Sequence, residues 1–325
     1  MQVKKPVKTI DDVAAASGYA RATVWRALNK PDLVSKETVK KIQEVIRQIG
    51  YFPDVTARSL RTKQSGLIAL VVPSIDKGFA PLVQSISETA EKLGFEIIIG
   101  ISNYDLKLEY KIVTRLLGRQ ISALILSGND QSPETKSVCK SAGIPVVQIW
   151  DTDGTPIHSM IGFSNVALGE SAANRLLAKS RTNLLIVLNT NHSRARSRLA
   201  GFRRAIAASD ANIELSIFDL GKPEAELERF LKKSTLINGI YVNASEHLFP
   251  ILEQLKAQNR VIPDDVSVLT FGEPSYKHLL DKGMEFIKIP DREIGEAAAL
   301  LVEQMLTRED IPASVNDMGF EIVGN

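Results

Sequence analysis

From Leu67 onward, short apolar runs alternate with stretches of helical periodicity, and this alternation constrains the fold more than any other feature. Short apolar runs suit buried parallel strands, and the helical stretches between them can cover both faces of a sheet. The first runs are GLIALVVP, FEIIIGI, ISALILSG and IPVVQIW, with helices expected over Phe79–Leu93, Asp105–Leu117 and Pro133–Ala142. This pattern predicts one doubly wound α/β lobe.

A second series of the same kind follows. Its apolar runs are HSMIGF, NLLIVL, IELSIFDL, NGIYVN and DVSVLTF, and it closes with EFIKIPDREIGEAAALLVEQML. The chain of 325 residues is long enough for about two domains. We therefore expect a second α/β lobe, with ligands bound outside the carboxyl ends of the strands.

The first sixty residues differ from the rest and predict three short helices. Thr9 and Asp12 form a capping signal, Gly18 ends the first helix, and Ser35 can cap the third. The second helix is expected over Ala22 to Leu28. Short helices joined by a tight glycine turn are typical of a helix-turn-helix, and a generic three-helix packing domain is the alternative.

Charge is distributed unevenly between these parts. Residues 1–63 contain 13 Lys and Arg against 6 Asp and Glu, and the remainder contains 27 against 32. A basic head on an acidic body favours contact between the head and a polyanion such as double-stranded DNA. A merely solvated helical surface would show the same charge.

The second helix is expected to read DNA, with Val24 and Leu28 facing inward. Arginine can pair bidentately with guanine, an apolar surface can contact a thymine methyl, and smaller polar groups can bind phosphate. The candidate DNA-binding residues on and beside this helix are Tyr19, Arg21, Ala22, Thr23, Trp25, Arg26 and Asn29.

Other classes of protein find little support. The amino terminus lacks the apolar segment of a secretory signal, and no uncharged apolar run is long enough to span a membrane. The single cysteine, Cys139, cannot form an internal disulfide and suits a reducing cytoplasm. The four histidines have no metal-binding spacing, and there is no phosphate-binding loop or nucleophile elbow. We expect a cytoplasmic protein that is not an enzyme and has no metal or cofactor.

One long stretch of the sequence, beginning at Thr9, is typical of a known protein family. TIDDVAAASGYARATVWRALNKPDLVSKETVKKIQEVIRQIGYFPDVTARSLRTKQSGLIALVVPSI resembles the lactose/galactose-repressor family of bacterial transcription factors, and the likeness continues through KSAGIPVVQI, RSRLAGFRRAI and VIPDDVSVLTFGE. The phrases AGIPVVQIWD, MIGFSN and DMGFEIVGN are similar to a subset that senses gluconate or related sugar acids.

The resemblance implies a helix-turn-helix DNA-binding domain at 1–54, a hinge helix or linker at 55–64, and an effector-binding and dimerisation core of two lobes at 65–325. The core would resemble periplasmic sugar-binding proteins. The protein would be a repressor that binds a near-palindromic operator as a homodimer. A hinge helix over Val55–Arg61 would wedge Leu60 into the minor groove, with Arg58 along the DNA backbone.

The head departs from the family at Trp25, where a small hydroxyl residue is usual, at Tyr19, where a smaller residue is usual, and at Asp54, where Asn is usual. We interpret Trp25 as a contact that alters operator specificity. The alternative is that its ring folds back against the first helix.

The resemblance also supplies effector residues. Phe79 would stack on the ligand, Trp150 and Asp151 would line the far wall, and Arg198 would bind the effector, with positive charge added by Arg292.

Two polar positions of the family are missing from this cleft. Ala244-Ser245 replaces Asn-Asp, and Gly272 replaces an Asp. Because unfilled hydrogen bonds in a closed cleft cost about 1–3 kcal/mol each, these changes favour an anionic sugar acid. A cleft that no longer senses a ligand, or one that senses a neutral sugar, is the alternative.

Overall fold

The computed structural model describes residues 8–52, 65–75, 78–274, 283–308 and 311–324. They form two compact units that divide between Ser65 and Gly66, each with its own apolar core. The predicted hinge helix, with Arg58 and Leu60, lies outside the described residues, as does Asp54.

The amino-terminal unit contains three α-helices: α1 Ile10–Ser17, α2 Arg21–Asn29 and α3 Lys36–Ile49. Thr9 and Asp12 form a capping box at the start of α1. Gly18 ends α1 in the left-handed region (φ 74°) and donates its N–H to the carbonyl of Ala14. This conformation favours glycine, so the tight turn between α1 and α2 follows from the sequence.

The apolar sides of the three helices meet in a small core. Its buried residues are Val13, Val24, Ala27, Ile42 and Tyr51. Because α2 buries only one side, its opposite side remains available to a partner.

The second unit contains two six-stranded sheets, one in each lobe. The first lobe has the strand order β11-β5-β4-β3-β1-β2 and the second has β12-β10-β9-β8-β6-β7. The first-lobe strands are β1 Leu67–Val72, β2 Glu96–Ile101, β3 Ala123–Ser127, β4 Val146–Ile149, β5 Ser159–Gly162 and β11 Val315–Asp317. The second-lobe strands are β6 Asn183–Leu188, β7 Glu214–Asp219, β8 Gly239–Val242, β9 Ser267–Phe271, β10 Glu285–Lys288 and β12 Glu321–Gly324.

Helices connect most of these strands as the alternation predicts, but β5 follows β4 without a helix. The run HSMIGF, expected in the second lobe, forms β5 of the first-lobe sheet because it pairs with β4. The helices of this unit are α4 Ala80–Lys92, α5 Leu106–Leu117, α6 Pro133–Ser141, α7 Asn165–Leu177, α8 Ser193–Ala207, α9 Glu224–Lys233, α10 Leu248–Ala257 and α11 Asp291–Thr307. Among the described residues, no helix is long and apolar enough to cross a membrane.

One strand differs from the expectation of full burial. β2 lies at the edge of its sheet, paired only with β1. Ile99 and Ile101 are therefore 43% and 38% exposed. A sequence run alone does not show whether a strand lies at the centre or the edge of a sheet.

Two glycines, Gly169 and Gly201, allow α7 and α8 to pack closely against each other. A Cβ atom added at Gly169 would overlap the carbonyl oxygen of Arg198, and one at Gly201 would overlap that of Val166. Only glycine permits the two helices to approach so closely. This contact fixes the backbone of Arg198 against α7.

Candidate functional site

On the head, α2 presents a basic surface. Arg21, Ala22 and Arg26 are exposed, whereas Val24 is buried and Leu28 packs against the core, as the sequence indicates. Arg21 pairs with Asp11 of α1 at 3.4 Å, an exposed contact of little energetic weight. The surface can therefore release its arginines to another anion.

Flanking side chains on this surface have intramolecular contacts as well. Lys41 Nζ lies 5.5 Å from the ring centre of Tyr19, which packs partly against the head core. Asn29 donates its Nδ2 to the carbonyl of Trp25 at 2.9 Å. Trp25 and Thr23 are half-buried, and the ring of Trp25 is not part of the apolar core of the head.

In the second unit, aromatic side chains gather where strands of both lobes end. The rings of Phe79 and Trp150 stack at 4.3 Å, and Trp150 meets Phe271 edge-on at 6.0 Å. Phe79 and Trp150 are 3% and 5% exposed. Phe79, predicted to stack on a ligand, thus stacks on Trp150 in this structure.

Arg198 packs against this aromatic cluster through the ring of Phe271. Its Nε donates to Asn165 Oδ1 at 2.9 Å, and its Nη1 donates to Asn243 Oδ1 at 3.1 Å. The guanidinium carbon is 3.5 Å from the ring centre of Phe271. Burial lowers the pKa of Arg198. Among the described residues, no carboxylate forms an ion pair with this buried cation.

Two aspartates lie near Trp150: Asp151 is buried and Asp291 is half-buried. Burial raises the pKa of Asp151 to about 6, although the Asp153 N–H donates to Asp151 Oδ1 and lowers it. Burial raises the pKa of Asp291 to about 7. Both carboxyl groups therefore gain protons closer to neutrality than ordinary aspartates do.

The other arginines occupy different surroundings. Arg194 Nη1 donates to Ser127 Oγ at 3.1 Å, and its guanidinium carbon is 5.5 Å from the ring centres of Phe79 and Trp150. Arg292, predicted to add charge to the cleft, instead pairs with Glu88 at 2.7 Å and has a side chain 57% exposed. Of these two arginines, the structure places only Arg194 against the aromatic cluster.

Sequence reasoning missed the residues that hold Arg198 in place. Asn165 begins α7, directly after the MIGFS portion of a phrase typical of the sugar-acid subset. Asn243 follows β8 and stands one position before the altered pair Ala244-Ser245. Asn165 could have been recognised as a polar residue at the point where a helix begins shortly after a strand. Asn243 adds a side-chain amide beside Arg198, which the missing family positions did not predict.

A helix-turn-helix head together with a two-lobed α/β core defines a DNA-binding transcriptional regulator built on a ligand-binding fold. Residues 68–310 match the model described as "Periplasmic binding protein domain". Residues 9–54 match the model described as "Bacterial regulatory proteins, lacI family". The chain therefore belongs to the lacI family of bacterial regulatory proteins.

Individual proteins that are similar to this chain are also transcriptional regulators. The HTH-type transcriptional regulator GntR of Pseudomonas aeruginosa is 28% identical over 97% of this chain and 94% of its own. A LacI-family regulator from Silicibacter pomeroyi has the same fold, with a TM-score of 0.86, 24% identity and 98% of both chains covered. The lac repressor dimer bound to operator has a TM-score of 0.82 at 20% identity, again over 98% of both chains.

These findings confirm the family, the fold class and the role of DNA-binding transcriptional regulator, which the sequence predicted. The relatives are regulators and not enzymes. The individual DNA-binding and effector-binding residues, and the domain boundaries 1–54, 55–64 and 65–325, stay predictions.

Proposed function

We propose that this protein is a cytoplasmic homodimeric repressor whose affinity for a near-palindromic operator is controlled by an anionic sugar acid, such as gluconate or a phosphorylated derivative. The observation that carries the effector assignment is the pair of arginines on α8. Arg194 and Arg198 both contact the aromatic cluster between the lobes, and neither pairs with a carboxylate within the described residues.

The charge on these arginines explains the preference for an acid. A buried cation without a counter-ion is costly, and the amide oxygens of Asn165 and Asn243 offset only part of that cost. A carboxylate or phosphate would supply the missing negative charge through strong, charge-assisted hydrogen bonds. A neutral sugar would add no negative charge opposite either guanidinium.

The DNA part of the proposal rests on α2. Its exposed Arg21, Ala22 and Arg26 match the residue types that read the major groove, and Trp25 would add an apolar contact. Thr23, Asn29 and Tyr19 would contact the sugar-phosphate backbone and fix the register. From the family resemblance, Leu60 would enter the minor groove and Arg58 would lie along the DNA backbone there.

A non-sensing cleft is the second candidate. The observation in its favour is the stack of Phe79 on Trp150, because the two rings already occupy each other's faces. A ligand that stacks on Phe79 would have to displace Trp150 first.

A binding experiment on the full-length protein separates the two candidates. Thermal unfolding would be followed with gluconate, phosphogluconate and ketogluconates, with glucose as the neutral control. A ligand at about 100 times its Kd adds about 2.7 kcal/mol, which raises Tm by several degrees. Stabilisation by the acids alone, together with a change in operator affinity measured by fluorescence anisotropy, supports the proposal. Stabilisation by glucose alone, or by none of these compounds, contradicts it.

A further inference from the structure

An exposed ion pair joins the starts of the first two helices of the head. Asp11 is the second residue of α1, and Arg21 is the first residue of α2. Arg21 Nη1 lies 3.4 Å from Asp11 Oδ2, and the two side chains are 67% and 64% exposed. Arg21 and Asp11 therefore present a hydrogen-bond donor and an acceptor side by side on one surface of the head.

Asp11 carries an unexpected charge for a surface that contacts DNA. The head is basic, because residues 1–63 contain 13 Lys and Arg against 6 Asp and Glu. A carboxylate close to DNA is repelled by the phosphates and lowers the affinity for every sequence. The start of α1 has another acidic residue, because Asp12 lies in the same turn and forms the capping box with Thr9. A role in reading a base accounts for the second carboxylate.

The two side chains match the two bases of one base pair. In the major groove, guanine presents the acceptors O6 and N7, and its paired cytosine presents the N4 amino donor. The guanidinium of Arg21 has only donors, and the carboxylate of Asp11 has only acceptors. Neighbouring side chains of these two kinds can contact both bases of a G·C pair at once, with the arginine on guanine and the aspartate on cytosine.

This arrangement also discriminates against the other base pairs. With adenine in place of guanine, the guanidinium meets the N6 amino donor, and with thymine in place of cytosine the carboxylate meets the O4 acceptor and a methyl group. A reversed C·G pair places the arginine on the amino group and the aspartate on the acceptors of guanine. The two side chains therefore select both the identity and the orientation of one base pair.

The position of the ion pair within the head suits this role. In helix-turn-helix proteins, the amino-terminal residues of the second helix contact base edges in the major groove. Arg21 is such a residue, and its contact with Asp11 brings the start of α1 to the same place. Because the contact is exposed and weak, each side chain can turn onto a base at little energetic cost.

We propose that Asp11 and Arg21 together read one G·C base pair in each half-site of the operator, with Arg21 on the guanine and Asp11 on the amino group of the cytosine. Asp11 is thus a specificity-determining residue that is supplied by α1 and lies outside the helix expected to read DNA. This inference rests on the DNA part of the proposed function, in which Arg21 faces the major groove.

The test uses the full-length protein and the double-stranded DNA of highest affinity that it selects from a random pool. Fluorescence anisotropy measures the affinity for this duplex and for duplexes with each base pair changed in turn. Arg21→Ala is expected to lose discrimination of about tenfold or more at one G·C pair in each half-site. Asp11→Ala is expected to lose about threefold or more at that same pair and to keep its discrimination elsewhere, and the two losses should not add in the double variant.

Glu37→Ala is the matched control. Glu37 is also an exposed acidic residue in the first turn of a head helix, α3. Removal of either acid lessens the repulsion of phosphate for all duplexes alike, so the comparison concerns the ratio of affinities between duplexes. Only Asp11→Ala is expected to change that ratio. If Asp11 merely stabilised the helix, Asp11→Ala would lower Tm without DNA and would weaken binding to all duplexes equally.

A modified cytosine tests the contact itself. N4-methylcytosine still pairs with guanine but carries a methyl group on the amino nitrogen that Asp11 would contact. At the base pair identified by Arg21→Ala, this modification is expected to lower the affinity of the wild type and to leave that of Asp11→Ala nearly unchanged. An equal response of the two proteins would contradict a contact between Asp11 and cytosine.

The outcomes separate this inference from the proposed function. If the wild type binds all duplexes of the pool alike, both the operator-reading function and the joint reading by Asp11 and Arg21 are wrong. If the wild type selects an operator but Asp11→Ala keeps full discrimination, or loses affinity for all duplexes equally, the joint reading is wrong and the proposed function stands. A loss confined to the G·C pair that depends on Arg21 supports both.

Discussion

Glu109 provides a prediction that requires no ligand. Its pKa is raised from an ordinary value of 4.5 to about 7, first by burial and then by the charge of Asp130, while Arg194 and Lys136 oppose the shift. Between these two pKa values the folded protein holds a proton on Glu109 that the unfolded chain has released. The free energy of unfolding must therefore decrease as pH rises through this window.

The size of this effect follows from the shift. A rise in the pKa of Glu109 from 4.5 to about 7 costs about 3 kcal/mol of stability once the pH exceeds the folded pKa. Asp151 and Asp291 also have raised pKa values and add dependence of the same sign. The comparison of wild type with Glu109→Gln isolates the contribution of Glu109, because glutamine cannot titrate.

The assay is thermal unfolding of both proteins from about pH 5 to about pH 8. The wild type is expected to lose more stability than Glu109→Gln as pH rises, and the Tm difference between them should change by several degrees in favour of the variant. A Tm difference that stays constant across this range would refute the argument, since it would mean that Glu109 titrates alike in the folded and unfolded states.

Four further predictions concern the head and the contact between helices. Trp25→Ser should change the ranking of operator sequences selected from a random pool; a uniform loss of affinity for all of them would contradict a base contact by Trp25. Operator affinity should fall linearly with salt on a double-logarithmic plot, and Arg26→Gln should lower affinity or specificity without changing the fold, as anisotropy titrations would show. Gly169→Ala should lower the free energy of unfolding by about 1–3 kcal/mol, because a methyl group has no room against α8, whereas Gly324→Ala, which faces open space, should be neutral in urea denaturation.

Much of the fold could be predicted from the sequence because each element carries its own local signal. The capping box at Thr9, the left-handed Gly18 and the apolar runs from Leu67 onward all act within a few residues. The sequence has no local signal of this kind for the short strands β11 and β12, because each forms by pairing with a strand far away along the chain. Met160 donates to Ser314 and Met318 donates to Gly162, so β11 forms only where β5 is already in place.

The candidate site could be predicted only in part, because its residues are brought together by contacts between distant parts of the chain. Arg198 was identified from a phrase shared with the family, but its partners Asn165 and Asn243 lie 33 and 45 residues away along the chain. Nothing in LKLEYKIV shows that α5 buries the carboxyl of Glu109. The ion pair of Arg292 with Glu88 depends on the packing of α11 against α4, which no local pattern shows.

The contacts that join the lobes determine how a ligand can act on this protein. Arg194 of the second lobe bonds Ser127 of the first, and the rings of Tyr104 and His192 stack between them. An effector shifts the equilibrium between two arrangements of the lobes only by its difference in affinity for them. A sugar acid bound between the lobes, as proposed above, would bind Arg194 in competition with Ser127. The arrangement that lets both lobes contact the acid gains stability from it, whereas glucose lacks the negative charge and can form only hydroxyl contacts.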